Sequence, residues 1–566
     1  MESKNNGILY GLNDRPPAGR SLVLAMQHVL TMFGSTVAVP LLFGPKLWPV
    51  PEGLQPSVAA TLTELQLHNT ATLISSVMLC SGIATLLQST FGSRLPIIQG
   101  VSFSFIAAFF AIIAQVHADK VVDWSEFLAG ETNRAKLMPL KNQWEAIGAT
   151  GMRTIAGAII IGGVMEATVG FSGLMGLIRK YLSPVVVGPV IMLIGLALYA
   201  VGAPYAASNW YVSIATMALI ITFSLVLSRR VKFLQMFPML SAIVIVVTVC
   251  YILTISGFIG SENAAFVDTS AIGRSDWLRV DMREAPPQIQ RWAPWGLPAF
   301  LFPWGLPEFK TAAVVAVLAG YLASMIESFG DYHACKNMAG AGDPTPREIS
   351  RGIAFEGVGC TLTGLLGGFS STSYSENIGL VGLTKVGSRY VVQVGSFVLI
   401  FLGLFGKFGA VAAAIPKPVV GGLYCTLFGL IAAVGVRQFA RADLSSERNL
   451  LVGGFALFMG LSVPYYFSGQ GGATGLDDVA WMPAGVRGVV LAIGATGMAV
   501  AAILGLVLDN IIPGTKEERG LKHAPGVLAP EAADIDFEKD APEEEYPNER
   551  RSGPRSSESP PRRSSP

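Results

Sequence analysis

The chain is short of charge. Asp, Glu, Lys and Arg make up 14% of it and the formal net charge is +1. No basic face and no long block of one sign interrupts its body, so nothing supports binding to nucleic acid. Its five cysteines, Cys80, Cys250, Cys335, Cys360 and Cys425, are scattered without the paired spacing of a zinc site or a disulfide frame, and read as buried small hydrophobes. Neither Gly-x-Ser-x-Gly nor His-Glu-x-x-His occurs, so the signatures of a hydrolase or a zinc protease are missing. His68, His117 and His523 fall in expected loops or the tail and cluster with nothing metal-like. No enzyme, metal or cofactor is indicated. The first apolar run begins near residue 19, is too long for a signal h-region and is followed by no small-residue cleavage site, so it is expected to remain as a span.

What the chain has is apolar length. Hydrophobic residues make up 51%, in runs of about 20, each sufficient to cross a hydrocarbon core about 30 Å thick. The expectation is an all-α polytopic membrane protein of about fourteen spans. They lie near 19 to 44, 70 to 91, 95 to 115, 150 to 177, 181 to 202, 209 to 228 and 233 to 257, then 310 to 331, 350 to 370, 372 to 386, 390 to 414, 416 to 436, 449 to 467 and 486 to 511. Residues 116 to 149 and 258 to 309 read as extramembrane loops. Residues 1 to 18 form a short leading segment and 19 to 512 the membrane domain. From 513 to 566 the chain is dense in Pro, Ser, Glu and Arg, as in Glu543-Glu544-Glu545, and reads as a disordered cytoplasmic tail.

Short connections that would face the cytoplasm carry Arg94, Arg179 with Lys180, Arg229 with Arg230, Lys336 with Arg347, and Lys385 with Arg389. The opposite short loops hold little beyond Lys46 and Arg487. That asymmetry places both termini in the cytoplasm and calls for an even number of spans.

Two spans look broken. Gly100-Val101-Ser102-Phe103-Ser104-Phe105 in the third and Gly368-Phe369-Ser370-Ser371-Thr372-Ser373-Tyr374-Ser375 in the tenth open on small and hydroxylated residues with a strand-like period, before an apolar half-helix. The separation of these two spans is odd, which makes the repeat inverted in the membrane and brings the half-helix starts together near the midplane. Irregular backbone at that depth must line a cavity or be buried in protein. Tight Gly and Ser packing between regular helices is the competing reading.

At this break lies Glu376, with Glu327 near the end of an earlier apolar run. An ionisable side chain at the bilayer centre costs about 2.5 to 3.5 kcal/mol on insertion scales, so its default reading is a substrate or ion site. A half-helix beginning near Ser375 offers unpaired N–H groups, with Phe103 opposite, while the two carboxylates accept hydrogen bonds and can hold a proton. Such a set suits a flat ligand with alternating C=O and N–H groups. Asp331 stands one turn beyond Glu327 on the same helix face. Glu166 and Glu356 are further intramembrane acids, read as structural or gating groups. His28 reads as a hydrogen-bonded packing residue rather than a proton relay, and Lys385 as the C-terminal close of the tenth half-helix.

The stretch Glu376-Asn377-Ile378-Gly379-Leu380-Val381-Gly382-Leu383-Thr384-Lys385 resembles the signature of the nucleobase-ascorbate transporters, the nucleobase:cation symporter-2 or xanthine/uracil permease family. That signature reads Gln, Glu or Pro, then Asn-x-Gly, four residues, Thr, and Arg, Lys or Gly. Gln27-His28-Val29-Leu30-Thr31-Met32-Phe33-Gly34, Gln99 to Phe105, and Glu327-Ser328-Phe329-Gly330-Asp331-Tyr332 resemble three more of its elements in order. The resemblance covers about residues 15 to 512 and implies fourteen spans as a 7+7 inverted repeat, with short strands in spans 3 and 10. Spans 1–4 and 8–11 would form a substrate-carrying core, and spans 5–7 and 12–14 a gate that also makes a homodimer.

By the same resemblance Glu327 and Glu376 hold a nucleobase, the backbones of Phe103 and Ser375 touch it, and Tyr374 and Ser102 line the pocket. Asp331, Asn377, His28, Gln27 and Thr384 would support or couple transport. Pro at the first signature position resembles ascorbate carriers, and this chain has Glu376. Glu resembles a bacterial uracil carrier, whereas Asp331 resembles purine carriers, so uracil and xanthine or uric acid stay open, with a lean to uracil. A proton is the expected coupling ion, sodium being used by some relatives. The expected location is the plasma membrane. An anion carrier of the same architecture is the competing class, but it should present basic residues rather than carboxylates at the helix ends.

Overall fold

A computed structural model describes residues 8–129, 131, 133–175, 181–286, 288–291, 293–467 and 484–521, all within one compact unit. Among them nine helices are long and apolar enough to cross a membrane, from Ala18–Leu47 to Glu447–Phe467, and shorter apolar helices include Phe103–Asp119, Arg389–Leu404 and Gly497–Ile511. The chain is a mostly helical, multi-pass membrane protein.

Several helices run past the apolar stretches that predict them. The second begins at Pro56 rather than near 70, which puts His68 on a helix and not in a loop. Arg134–Ser172 likewise takes in residues 134–149, expected as loop, and is capped by the Asn133 side chain on the Ala135 amide at 2.9 Å. His117 lies in the last turn of Ile106–Asp119, again not in a loop. An apolar run marks only the stretch that meets hydrocarbon, and a helix carries on into water wherever polar helix-formers allow it. Three expected spans are interrupted. Pro184–Ala197 gives way to Tyr199–Ala207, Arg389–Leu404 to Gly406–Ala413, and Ala484–Gly494 to Gly497–Ile511. The basic pair Arg179 and Lys180 and His523 lie outside the described residues, as does the tail from 522. Residues 513–521 still make contacts, Arg519 pairing with Asp509 at 2.7 Å.

Among the described residues four short strands occur: β1 (Gln99–Val101), β2 (Met282–Arg283), β3 (Leu297–Pro298) and β4 (Ser371–Ser373). The strands β2 and β3 pair within the long loop, and β1 pairs antiparallel with β4, Gly100 opposite Thr372. The β1–β4 ladder is prolonged by the Ser102 amide on the Ser370 carbonyl at 2.9 Å and the Tyr374 amide on the Ile98 carbonyl at 3.0 Å. Two three-residue strands satisfy each other's backbone where no water could. A Cβ at Gly100 would come within 2.2 Å of the Tyr374 ring, so the crossing needs glycine there.

The helices sort into two packed sets. Ala18–Leu47, Pro56–Thr90, Arg134–Ser172, Thr311–Met338, Pro346–Leu366 and Arg389–Leu404 pack on one another around the strand crossing. Pro184–Ala197, Trp210–Ile221, Glu447–Phe467 and Gly497–Ile511 pack around Lys417–Phe439 or one another.

Candidate functional site

Each strand hands over to a helix beside the crossing. After β1, the Ser102 side chain accepts a bond from the Ser104 amide at 3.3 Å and opens the tight turn Phe103–Phe105, which leads into Ile106–Asp119. After β4, the helix Ser375–Thr384 starts without a side-chain cap and ends at Lys385, whose φ of 57° closes it in the left-handed region. Its first N–H groups are therefore available to a ligand. Ser375 and Gly379 are exposed and Glu376 is part-exposed, so this helix start can be reached.

Glu376 is held from the first helix, where the Ser35 hydroxyl lies 2.7 and 2.9 Å from its two carboxyl oxygens. Glu327, part-exposed, makes no hydrogen bond among the described residues. Both carboxylates are near enough to the Tyr374 phenol to act on it electrostatically. That phenol is buried, donating to the Val101 carbonyl at 3.1 Å and accepting from Thr36 at 3.2 Å. Asp331 is 8% exposed and accepts from Ser375 and Ser373, each at 2.8 Å. Asn377 donates to the His28 carbonyl at 2.9 Å and lies 3.3 Å from His28 Nδ1, tying the half-helix to the first helix. Its Oδ1 is buried without a hydrogen-bond partner among the described residues.

The structure thus gathers Glu327, Asp331, Tyr374, Ser375, Glu376, Asn377 and His28 around the crossing, with Ser102 and Phe103 at the facing turn. Gln27 and Thr384 are not joined to them by any hydrogen bond. The Thr384 hydroxyl turns back to the Leu380 carbonyl at 2.8 Å, and Gln27 Oε1 is buried without a hydrogen-bond partner among the described residues. Sequence reasoning missed Ser35, Thr36 and Ser328. Ser35 lies two turns beyond His28 on the same helix face, which is the signal that could have found it. Among the described residues no group of three acids, histidines or cysteines could hold a metal ion.

A separate cavity of about 300 Å³ lies between Pro56–Thr90 and the long loop, lined among others by His68, Ser75, Asp276, Arg279, Asp281 and Arg283. Burial lowers Arg279 from the usual arginine value to about 10, despite a nearby Cys80 that acts the other way. Its mixed charge and place beneath the loop set it apart from the acids at the crossing.

Residues 19–469 match the model of a family described as "Permease family". The chain is 36% identical over 541 residues to solute carrier family 23 member 1 of Rattus norvegicus, covering 91% of this chain and 82% of that one. It is 32% identical over 568 residues to nucleobase-ascorbate transporter 12 of Arabidopsis thaliana, covering 92% and 72%. In fold it is similar to the murine solute carrier 26 family member A9 anion transporter in the inward-facing state, with a TM-score of 0.52 at 10% identity, over 88% of this chain and 69% of that one.

Proposed function

Because this chain belongs to the permease family of the nucleobase-ascorbate transporters, we propose that it imports a nucleobase across the plasma membrane by proton symport. The observation that carries this reading is the pairing of opposite hydrogen-bonding characters at one place. The carboxylates of Glu327 and Glu376 stand beside the uncapped helix start at Ser375. A nucleobase presents N–H edges and ring carbonyls side by side, and carboxylates accept from the first while backbone amides donate to the second. Phe103 and Ser375 supply the amides, and Ser102 and Tyr374 shape the wall. Uracil fits this set, and so do xanthine and uric acid, whose pyrimidine ring carries the same edges. An inorganic anion would instead face two acids.

Transport follows if the helix set around the crossing shifts against the set around Lys417–Phe439, exposing the site to one side and then the other, with fourteen spans in two inverted repeats of seven. The second set would also form a homodimer, and both termini would lie in the cytoplasm. Protonation of an acid at the site couples the movement to the gradient, since a neutral, loaded site crosses the membrane at lower electrostatic cost than a charged one.

The test is uptake of labelled uracil, xanthine and ascorbate into cells lacking their own carriers, with and without a pH gradient and with sodium replaced. Base uptake driven by an inward proton gradient is expected. Glu327→Gln and Glu376→Gln each lower it about a hundredfold, the loss of one or two charge-assisted hydrogen bonds. Normal transport by either variant removes that residue from the site, and uptake of ascorbate without bases overturns the substrate reading.

A further inference from the structure

Behind the crossing lie two acids that the binding of a base does not employ. Glu166 is 0% exposed, and among the described residues its carboxyl oxygens accept no N–H or O–H hydrogen bond, the Cys360 thiol being the polar group beside them. Glu356 is 1% exposed and is well supplied. It accepts from Ser324 at 3.1 Å and Ser328 at 2.8 Å on one oxygen, and from Tyr332 at 2.8 Å on the other, with Gln88 donating to Tyr332 at 2.7 Å. The two helices that carry them cross closely, since a Cβ on Gly163 would come within 2.7 Å of the Gly357 carbonyl, and the two carboxyls act on each other electrostatically.

The groups facing the pair are Tyr321, Glu327 and Tyr332 from Thr311–Met338 and Cys360 from Pro346–Leu366, with the neutral Gln88 of Pro56–Thr90 behind Tyr332. Neither acid has an ion pair among the described residues, and the cations on the helix that carries Glu356 and on the helix that faces it are engaged elsewhere, Lys336 with Glu348 at 2.8 Å and Arg351 with the Phe91 carbonyl. Two carboxyls buried together with hydroxyls and a thiol but no counter-ion recover little of the hydration they lose, so the pair is suited to sharing a proton.

From Glu356 a chain of hydroxyls leads to the front. Ser328 lies 2.8 Å from Glu356 and 2.9 Å from Ser373, and Ser373 donates to Asp331 at 2.8 Å. Resting on the proton-symport reading above, we propose that Glu166 and Glu356 form a second proton-binding site that exchanges its proton with Asp331 through Ser328 and Ser373. When Glu356 holds the proton it donates to Ser328 instead of accepting from it, so the Ser328 hydrogen turns to Ser373; the acid proton then passes to Ser328 as Ser328 gives its own to Ser373 and Ser373 gives its own to Asp331. Glu356 ends one proton short, Asp331 one proton richer, and both hydroxyls unchanged.

The experiment uses the full chain in liposomes with a trapped pH-sensitive dye, given uracil or xanthine over a mildly acid to mildly alkaline range. Glu166→Gln is expected to keep base binding at a fixed pH while the proton-to-base ratio falls and the pH profile moves by about one unit or more. Glu356→Gln should do the same. Ser328→Ala, which leaves both acids in place, keeps the test open if that variant does not fold, and should slow proton movement about tenfold or more. A parent that moves bases with protons, and variants that all keep its ratio and its profile, overturn the second site alone. A parent that moves bases without protons overturns proton symport and this site with it.

Discussion

Asp509 and Glu166 are both fully buried carboxylates on membrane helices, and their surroundings are opposite. Asp509 has Arg448 at 2.9 Å on one oxygen, and Arg519 at 2.7 Å with Ser183 at 2.7 Å on the other. Arg448 also donates to the carbonyls of Asp509 and Ile512, at 2.6 and 2.7 Å, so the cluster gathers the ends of Glu447–Phe467 and Gly497–Ile511. Glu166 has no cation and no N–H or O–H donor among the described residues, only the Cys360 thiol beside it, and the neighbouring Glu356 is met by hydroxyls. A carboxylate held by two arginines has its oxygens committed to them and acts as a clasp. One met only by hydroxyls, or by nothing, keeps the option of taking up or giving away a proton. One molecule therefore puts its buried acids to two uses, and the partner decides which.

The largest effect expected from breaking this contrast is at the clasp. Asp509→Asn strands Arg448 and Arg519, at a cost of about 3 to 5 kcal/mol, seen as a lower thermal midpoint in detergent and less folded protein in the membrane. The pH profile of uptake per folded molecule should not move, and a shifted profile would mean that Asp509 is no clasp. A smaller effect is expected at the crossing, where Gly100→Ala drives a methyl into the Tyr374 ring. Overpacking of that kind costs about 1 to 3 kcal/mol and should dislodge the phenol from Val101 and Thr36. Uptake should fall with it, and full uptake would show that the ring has room to move. The smallest is Ser35→Ala, which removes the hydroxyl on Glu376 at a cost of about 1 kcal/mol, or roughly fivefold in base affinity by equilibrium binding. Unchanged affinity would mean that Glu376 orients itself without the first helix.

The acids at 327, 331 and 376 were legible from residue order because charge inside an apolar run is rare and costly. The broken third and tenth segments were legible too, since hydroxylated and small residues in a two-residue period suit a short strand. The partners of those acids were not. Ser35 meets Glu376 across 341 positions of chain, and serines in membrane helices look alike whether they serve packing or a carboxylate. Helix ends were misjudged at Pro56 and Arg134 because hydropathy reports the membrane and not the hydrogen-bond ladder.

Composition and four ordered motifs were enough to make this a membrane carrier chain of a known family with acids at the breaks, because length, hydropathy and local charge are properties of neighbours in the chain. Which acid is clasped and which is free, and which hydroxyls join Glu356 to Asp331, followed only from folding. Those partners come from helices remote in the chain, and a hydrogen bond responds to distance in space.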